Sequence, residues 1–196
     1  MIALFFDTET TGVKSWKDPD FVPKLVQIGA ILQNTNTKRV LAEINLIINQ
    51  NGVHIPEGAS NVHGITDELA ERFGVSIESV DLVFAQLIRR AEMIVAHNIQ
   101  YDLEVVKDNL PASWRGLDGI PTFCTMLENL MTVKAPLTDK QRAYFGMKGV
   151  APDAPYKVPS LTQTYKHYFG SEFDGAHDAM ADIRACRDIY FAMDLS

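Results

Sequence analysis

Asp7 and Glu9 stand two residues apart, where the apolar run Ile2 to Phe6 gives way to Asp-Thr-Glu-Thr-Thr-Gly. In extended backbone, side chains two apart leave the same face, so the two carboxylates can share a metal. A lone D-x-E also describes a solvated strand end with turn formers, and residues far along the chain must decide. Asp102 comes one residue before Leu103 of the stripe Ile99, Leu103, Val106, Leu110, and Asp182 one before Ile183 of the stripe Ala179, Ile183, Cys186, Tyr190, Met193. At about 100° per residue, each acid lies at the edge of a packed helix face rather than on its solvent side. Arg or Lys pairing is one way to satisfy such acids. Two acids placed alike, added to Asp7 and Glu9, also suit oxygen-only ligation of Mg²⁺ or Mn²⁺. His177 precedes Asp182 by five residues. At the start of the last helix it is either a cap or surface residue, or an imidazole held over the metal site. His97 reads as structural.

The elements that position these residues follow from periodicity. Ile2 to Phe6 reads as a central strand buried on both faces, followed by strands over 25–33 and 39–48 joined by a hairpin at Asn34-Thr35-Asn36-Thr37. After the Asn51-Gly52 turn, a short helix is expected from Thr66 and a longer one over Ser76 to Arg90. Met93 to Ala96 is a fourth strand, and Asn98 the N-cap of a helix that Pro111 stops. Pro121 to Met126 is a fifth strand, 131–159 an irregular connection, and Ser160 to Tyr168 a helix before the final one. A meander followed by alternating helices and strands is an α/β domain with a mixed sheet, read as one domain over 1–196.

Composition sets the outer bounds. The chain is 46% hydrophobic and 22% charged, the balance of a globular protein. No apolar stretch reaches the roughly 18 residues of a membrane span, and no secretory leader opens the chain. Cys124 and Cys186 have no CxxC spacing, so neither a disulfide framework nor a thiolate zinc site is indicated. A cytoplasmic protein with no membrane partner is expected. Twenty-five acids against 18 bases give a net charge of −7, which suits a nucleic-acid partner only where cations cover the acids. Within 131–159 the balance reverses: Lys134, Lys140, Arg142, Lys148 and Lys157 face only Asp139 and Asp153, with Tyr144, Phe145 and Tyr156 interleaved. Bases that track phosphates and rings that stack on nucleobases make this the candidate single-strand contact, and a solvated connection is its plain alternative.

The motifs resemble those of the DnaQ-like exonucleases, the DEDD group with histidine in its third motif. Asp7-Thr8-Glu9-Thr10-Thr11-Gly12 is similar to the first motif, His97-Asn98-Ile99-Gln100-Tyr101-Asp102 to the second and His177-Asp178-Ala179-Met180-Ala181-Asp182 to the third. Smaller echoes are Gln27-Ile28-Gly29-Ala30, Val62-His63-Gly64-Ile65-Thr66, Cys124-Thr125-Met126 and Pro159-Ser160-Leu161, so the likeness spans 2–192. The resemblance implies a ribonuclease-H-like fold: a five-stranded mixed sheet with an antiparallel second strand and helices on both faces. It implies 3′-to-5′ exonuclease action with two divalent ions, Asp7, Glu9, Asp102 and Asp182 as ligands and His177 as general base. Thr10, Thr11 and Gly12 would approach the terminal nucleotide through backbone, and His63, Gly64 and Ile65 would pack on its base or sugar; Asn98 of the second motif joins this substrate-binding set. DNA 3′ ends are expected ahead of RNA. Polymerase tethering is doubtful, because the chain stops at Ser196, soon after its last helix.

Two rivals complete the reading. Haloacid-dehalogenase-type phosphatases also open with an apolar strand ending in D-x-D, the first Asp being a covalent nucleophile. Here the second acid is Glu9, and that chemistry leaves Asp102, His177 and Asp182 without a task. The other rival is a nucleic-acid-binding module without catalysis, against which all five chemical positions are filled.

Overall fold

The computed structural model describes residues 1–13, 18, 20–148 and 156–193, the side chains at 145, 147 and 148 excepted. Five strands form one sheet: β1 (Ile2–Thr10), β2 (Leu25–Asn34), β3 (Val40–Ile47), β4 (Met93–Ala96) and β5 (Thr122–Cys124), in the order β3-β2-β1-β4-β5. β2 runs antiparallel to β1 and β3, while β4 is parallel to β1 and β5, so β2 alone opposes the rest. Between β3 and β4 come α1 (Glu57–His63), α2 (Asp67–Phe73) and α3 (Ile77–Ile88); α4 (Ile99–Asn109) and α5 (Pro111–Gly116) precede β5. After it follow α6 (Thr125–Glu128), α7 (Leu130–Val133), α8 (Asp139–Lys148), α9 (Leu161–Phe169) and α10 (Ala179–Ala192).

Strand alternation divides the core into two layers. Leu4 and Phe6 of β1 join Ile28, Ala30 and Leu32 of β2 under α3 (Val80, Phe84, Ile88) and α4 (Val105, Val106). Ala3 and Phe5 turn to the other face, where Ile31 and Val95 meet Met180, Ile183, Cys186 and Tyr190 of α10. Each such side chain, fully buried, contributes on the order of 1.5–3 kcal/mol. The sheet therefore lies between α3 and α4 below and α10 above, and β1 at its centre is covered on both sides.

Local signals account for three of the helix starts. Thr66, Ser76 and Ser160 cap α2, α3 and α9 with their side-chain oxygens, and Gln163 completes a capping box with Ser160. Several expectations need correction. β1 continues through Asp7 to Thr10, because both acids keep strand pairing with β2. α4 does end ahead of Pro111, with Leu110 as its C-cap, but Pro111 also opens an unexpected helix: it occupies the first turn of α5, where its missing N–H costs nothing. β5 is shorter than expected, since Thr125 already starts α6. Asn98 sits at the N-cap of α4, but with φ 67° and no side-chain cap bond, so it turns the chain without capping the helix. The connection at 131–159 is partly helical, containing α8 and part of α7. Its residue Asp153, and the side chains of Phe145 and Lys148, lie outside the described residues.

Candidate active site

The face of β1 that carries Ala3 and Phe5 continues as Asp7 and Glu9, and α10 packs on that face. Gly29 makes the approach possible. It pairs with Asp7 across β1 and β2, and a Cβ there would lie 2.5 Å from Ile183 Cδ1 and 3.3 Å from the Ala179 backbone. With that space open, Asp182 in the first turn of α10 reaches the β1 acids. One carboxylate oxygen each from Asp7, Glu9 and Asp182 lies within 4.8 Å of the others.

Electrostatics mark this as a site of uncompensated charge. Burial pushes the Asp7 carboxyl well above its usual range, and the charges of Asp102, Asp182, Glu9 and Asp178 push the same way. Glu9 rises to about 8 by burial and by Asp182, Asp102 and Asp178. Asp182 rises to about 6 through burial, against the opposing His177 N–H bond and charge. The charges that act most strongly on Asp7 and Glu9 are carboxylates. Oxygen donors that repel one another, with His177 the one cationic partner named and acting on Asp182 alone, fit a hard divalent ion.

Asp102 stands beside this group rather than within the tight triad. It is 3% exposed, and its Oδ1 accepts the Thr8 N–H at 3.1 Å and the Thr8 hydroxyl at 2.7 Å. Burial raises its pKa to about 7, the Thr8 bonds opposing. The partner is thus a threonine and not an arginine or lysine. His177 lies one residue ahead of Asp178, the N-cap of α10, with φ 73°. Its backbone N–H meets both Asp182 oxygens, at 3.2 and 3.3 Å, and its side chain is exposed at the mouth of the site.

The residues expected to meet substrate form two turns that touch. Thr10 and Thr11 turn their side chains inward. Thr10 Oγ1 bonds the Gly12 carbonyl and the Tyr101 hydroxyl, both at 2.7 Å, while Thr11 Oγ1 accepts the Lys24 N–H at 3.0 Å. In the second turn, Gly64 ends α1 at φ 75°, a conformation open to glycine at no steric cost. His63 Nδ1 accepts the Ile65 N–H at 3.1 Å, and the ring lies near the Thr10 backbone, its pKa lowered by burial. Asn98 is exposed at the start of α4. His97 is structural: Nε2 donates to the Pro159 carbonyl at 3.1 Å, so Nδ1 accepts the Thr125 hydroxyl at 3.0 Å, and burial lowers its pKa to about 4. It ties the end of β4 to the segment entering α9.

Sequence reasoning passed over Thr8, Tyr101 and Asp178. Thr8 was accessible by combining two periods, since it faces opposite Asp7 and Glu9, toward the α4 edge where Asp102 was placed. Asp178 carries the N-cap signal, accepting from Met180 and Ala181 N–H. The basic segment is exposed at Lys140, Arg142 and Tyr144. Arg142 pairs with Asp139 at 2.6 Å, and the Lys157 N–H closes the base of the excursion on the Ala135 carbonyl at 3.0 Å. Cys124 and Cys186 are buried and free. Among the described residues, no helix is long and apolar enough to cross a membrane.

Comparison with known proteins places this arrangement. Residues 4–190 match the RNase T family model, which describes exonucleases. The DNA polymerase III subunit epsilon of Treponema pallidum (strain Nichols) is 26% identical over 188 residues, covering 96% of this chain and 74% of the relative. The subunit of that name from Buchnera aphidicola subsp. Schizaphis graminum is 28% identical over 128 residues, 65% of this chain and 53% of its own length. The crystal structure of E. coli exonuclease I with a dT13 oligonucleotide superposes with a TM-score of 0.69 at 20% identity. That match covers 97% of this chain and 40% of exonuclease I, and supports the fold. The chain thus spans about half of the Buchnera relative and less of exonuclease I. The phosphatase alternative is overturned by the family match and by the acids gathered around Asp7. A five-stranded sheet with a reversed second strand, three motif acids meeting at its centre, and a family match over nearly the whole length agree: the chain belongs to the RNase T exonuclease family, on a ribonuclease-H-like fold.

Proposed function

We propose that the chain removes nucleotides stepwise from a free 3′ end, single-stranded DNA ahead of RNA, by metal-assisted hydrolysis at the Asp7, Glu9 and Asp182 cluster. The convergence of those three carboxylates within 4.8 Å, with Asp102 beside them, carries the reading. Two divalent ions, Mg²⁺ or Mn²⁺, would supply charge stabilisation of the attacking and leaving oxygens and a water of lowered pKa. Asp7, Glu9, Asp102 and Asp182 would hold them. His177, exposed at the mouth and free of the helix hydrogen-bond ladder, would take the proton of the attacking water. The Thr10-Thr11-Gly12 turn, pinned by Tyr101 and Lys24, would orient the terminal nucleotide. His63, Gly64 and Ile65 would close on its base or sugar, and Asn98, exposed at the start of α4, would join this substrate-binding set. Lys140, Arg142 and Tyr144 on α8 would attract the strand further out. Support for DNA comes from E. coli exonuclease I, whose structures hold dT13 and dA16 and, in one case, zinc with single-stranded DNA.

The test is a panel of 5′-labelled DNA and RNA, linear, 3′-phosphorylated and circular, with either metal. A ladder from linear DNA, slower loss of RNA, and survival of the blocked and circular strands are expected. Efficient cutting of a closed circle makes the protein an endonuclease and overturns the reading. Binding without cleavage in either metal supports a catalytically silent module instead.

A further inference from the structure

Resting on the metal-centred reading above, we infer that Thr8 is a positioning residue, whose hydroxyl fixes Asp102 so that a single carboxylate oxygen, Oδ2, is left for a divalent ion. Both residues are buried, Thr8 at 6% and Asp102 at 3% exposure. A carboxylate only accepts, so the Thr8 hydroxyl donates to Oδ1 at 2.7 Å, and the Thr8 N–H donates to the same oxygen at 3.1 Å. The Asp102 main-chain N–H also acts on its own carboxylate, and among the described residues no other residue is seen to donate to Oδ2. The main-chain bond alone leaves the carboxylate free to turn about its terminal torsion. A second donor on the same oxygen removes that freedom, and the β-branched threonine holds its hydroxyl in a narrow range of directions.

Placement on the strand gives the bond its leverage. Thr8 lies between Asp7 and Glu9 but faces away from them, so the segment that presents two acids on one face grips the third acid on the other. Asp102 comes from α4, which sequence separates from β1 by about half the chain. The β1–β4 pairing and the packing of α4 bring Asp102 close to Asp7 and Glu9, and the Thr8 bond then fixes how its carboxylate is turned. Outer partners of metal ligands typically govern about 10–100-fold of metal affinity.

Thr8→Ala and Thr8→Ser both lose the methyl group, and only Thr8→Ser keeps the hydroxyl. The full chain, stripped with chelator and without substrate, is titrated with Mn²⁺ while the free-ion electron paramagnetic resonance signal reports binding. Cleavage against Mn²⁺ concentration is followed in parallel. The inference expects Thr8→Ala to bind Mn²⁺ roughly 10–100-fold more weakly than the parent, with the half-maximal metal concentration for cleavage shifted alike. Thr8→Ser should stay close to the parent. Where Thr8→Ala fails to fold, Thr8→Val, which preserves shape, takes its place. Equal Mn²⁺ binding by the hydroxyl-free and hydroxyl-bearing variants, whether strong or weak, overturns the inference alone. A parent chain that binds no Mn²⁺ overturns the metal-centred reading and this inference with it.

Discussion

His177 is exposed beside a carboxylate cluster, with its backbone N–H bonded to Asp182. A general base must be unprotonated, so cleavage at saturating metal should rise with pH through one ionisation. His177→Ala should lose that limb together with roughly 10²–10⁴-fold of the rate while still binding Mn²⁺. His177→Gln should be as slow, because an amide cannot take the proton; a near-normal rate and unchanged pH profile in His177→Ala would mark a helix-start residue only. Asp7 feels the charges of Asp102, Asp182, Glu9 and Asp178, which places it at the centre of the cluster. Asp7→Ala should therefore impair cleavage at least as much as Asp102→Ala, and single-turnover rates for the two variants provide the comparison. These acids were legible because each broke a local rule, a charge at the end of a buried run or on the edge of an apolar stripe. Thr8 and Tyr101 broke none: a strand threonine and a helix tyrosine fit their elements, and their roles arise only when β1 and α4 meet.

Among the elements, α10 depends on one glycine. A methyl at Gly29 would press on Ile183, which has no exposed surface, and on the Ala179 backbone at 3.3 Å. Gly29→Ala should cost about 1–3 kcal/mol of stability, the usual range for overpacking. It should lower activity further than the melting temperature alone suggests, since the same displacement carries Asp182 away from Asp7. Adding Ile183→Val, which removes Cδ1, should recover part of both; calorimetry with cleavage rates decides, and an unaffected Gly29→Ala protein would remove Gly29 from the account. At this scale the sequence was readable where caps and stripes agreed, as at Thr66, Ser76 and Ser160. It misled where one residue serves two elements. Leu110 closes α4 just ahead of Pro111, as expected, but it also opens α5, which the stop at Pro111 concealed. α1 went unseen because it buries none of its residues and so lacks an apolar stripe. α8 was read as irregular for a similar reason: Lys140, Arg142 and Tyr144 are all exposed.

For the whole molecule, a net charge of −7 is a statement about where the acids sit. Asp182, Asp102 and Glu9 reach about 6, 7 and 8 in the folded chain, above the ordinary values of 3.8 and 4.5. The metal-free folded state therefore holds protons that the unfolded chain has released. The contribution of these carboxylates to stability is full below the unfolded values of 3.8 and 4.5, falls as pH rises above them, and is lost once pH has passed the folded values of about 6, 7 and 8. The melting temperature of chelated protein should drop between about pH 4.5 and about pH 8, most steeply in the lower part, and Mn²⁺ should raise it more at the upper end. A flat profile with and without metal would show that these carboxylates do not share their charge. The fold itself was largely legible, because the reversed second strand, the helices on both faces and the three motifs all belong to one pattern. The central claim is that Asp7 anchors divalent ions that make hydrolysis at a 3′ end possible. Its most direct test follows a 5′-labelled single-stranded DNA with chelated parent and Asp7→Ala protein, before and after Mn²⁺ is restored. The account predicts no shortening without metal, a stepwise ladder from the parent once Mn²⁺ returns, and an intact strand with Asp7→Ala; shortening by the chelated parent, or an equal ladder from Asp7→Ala, would contradict it.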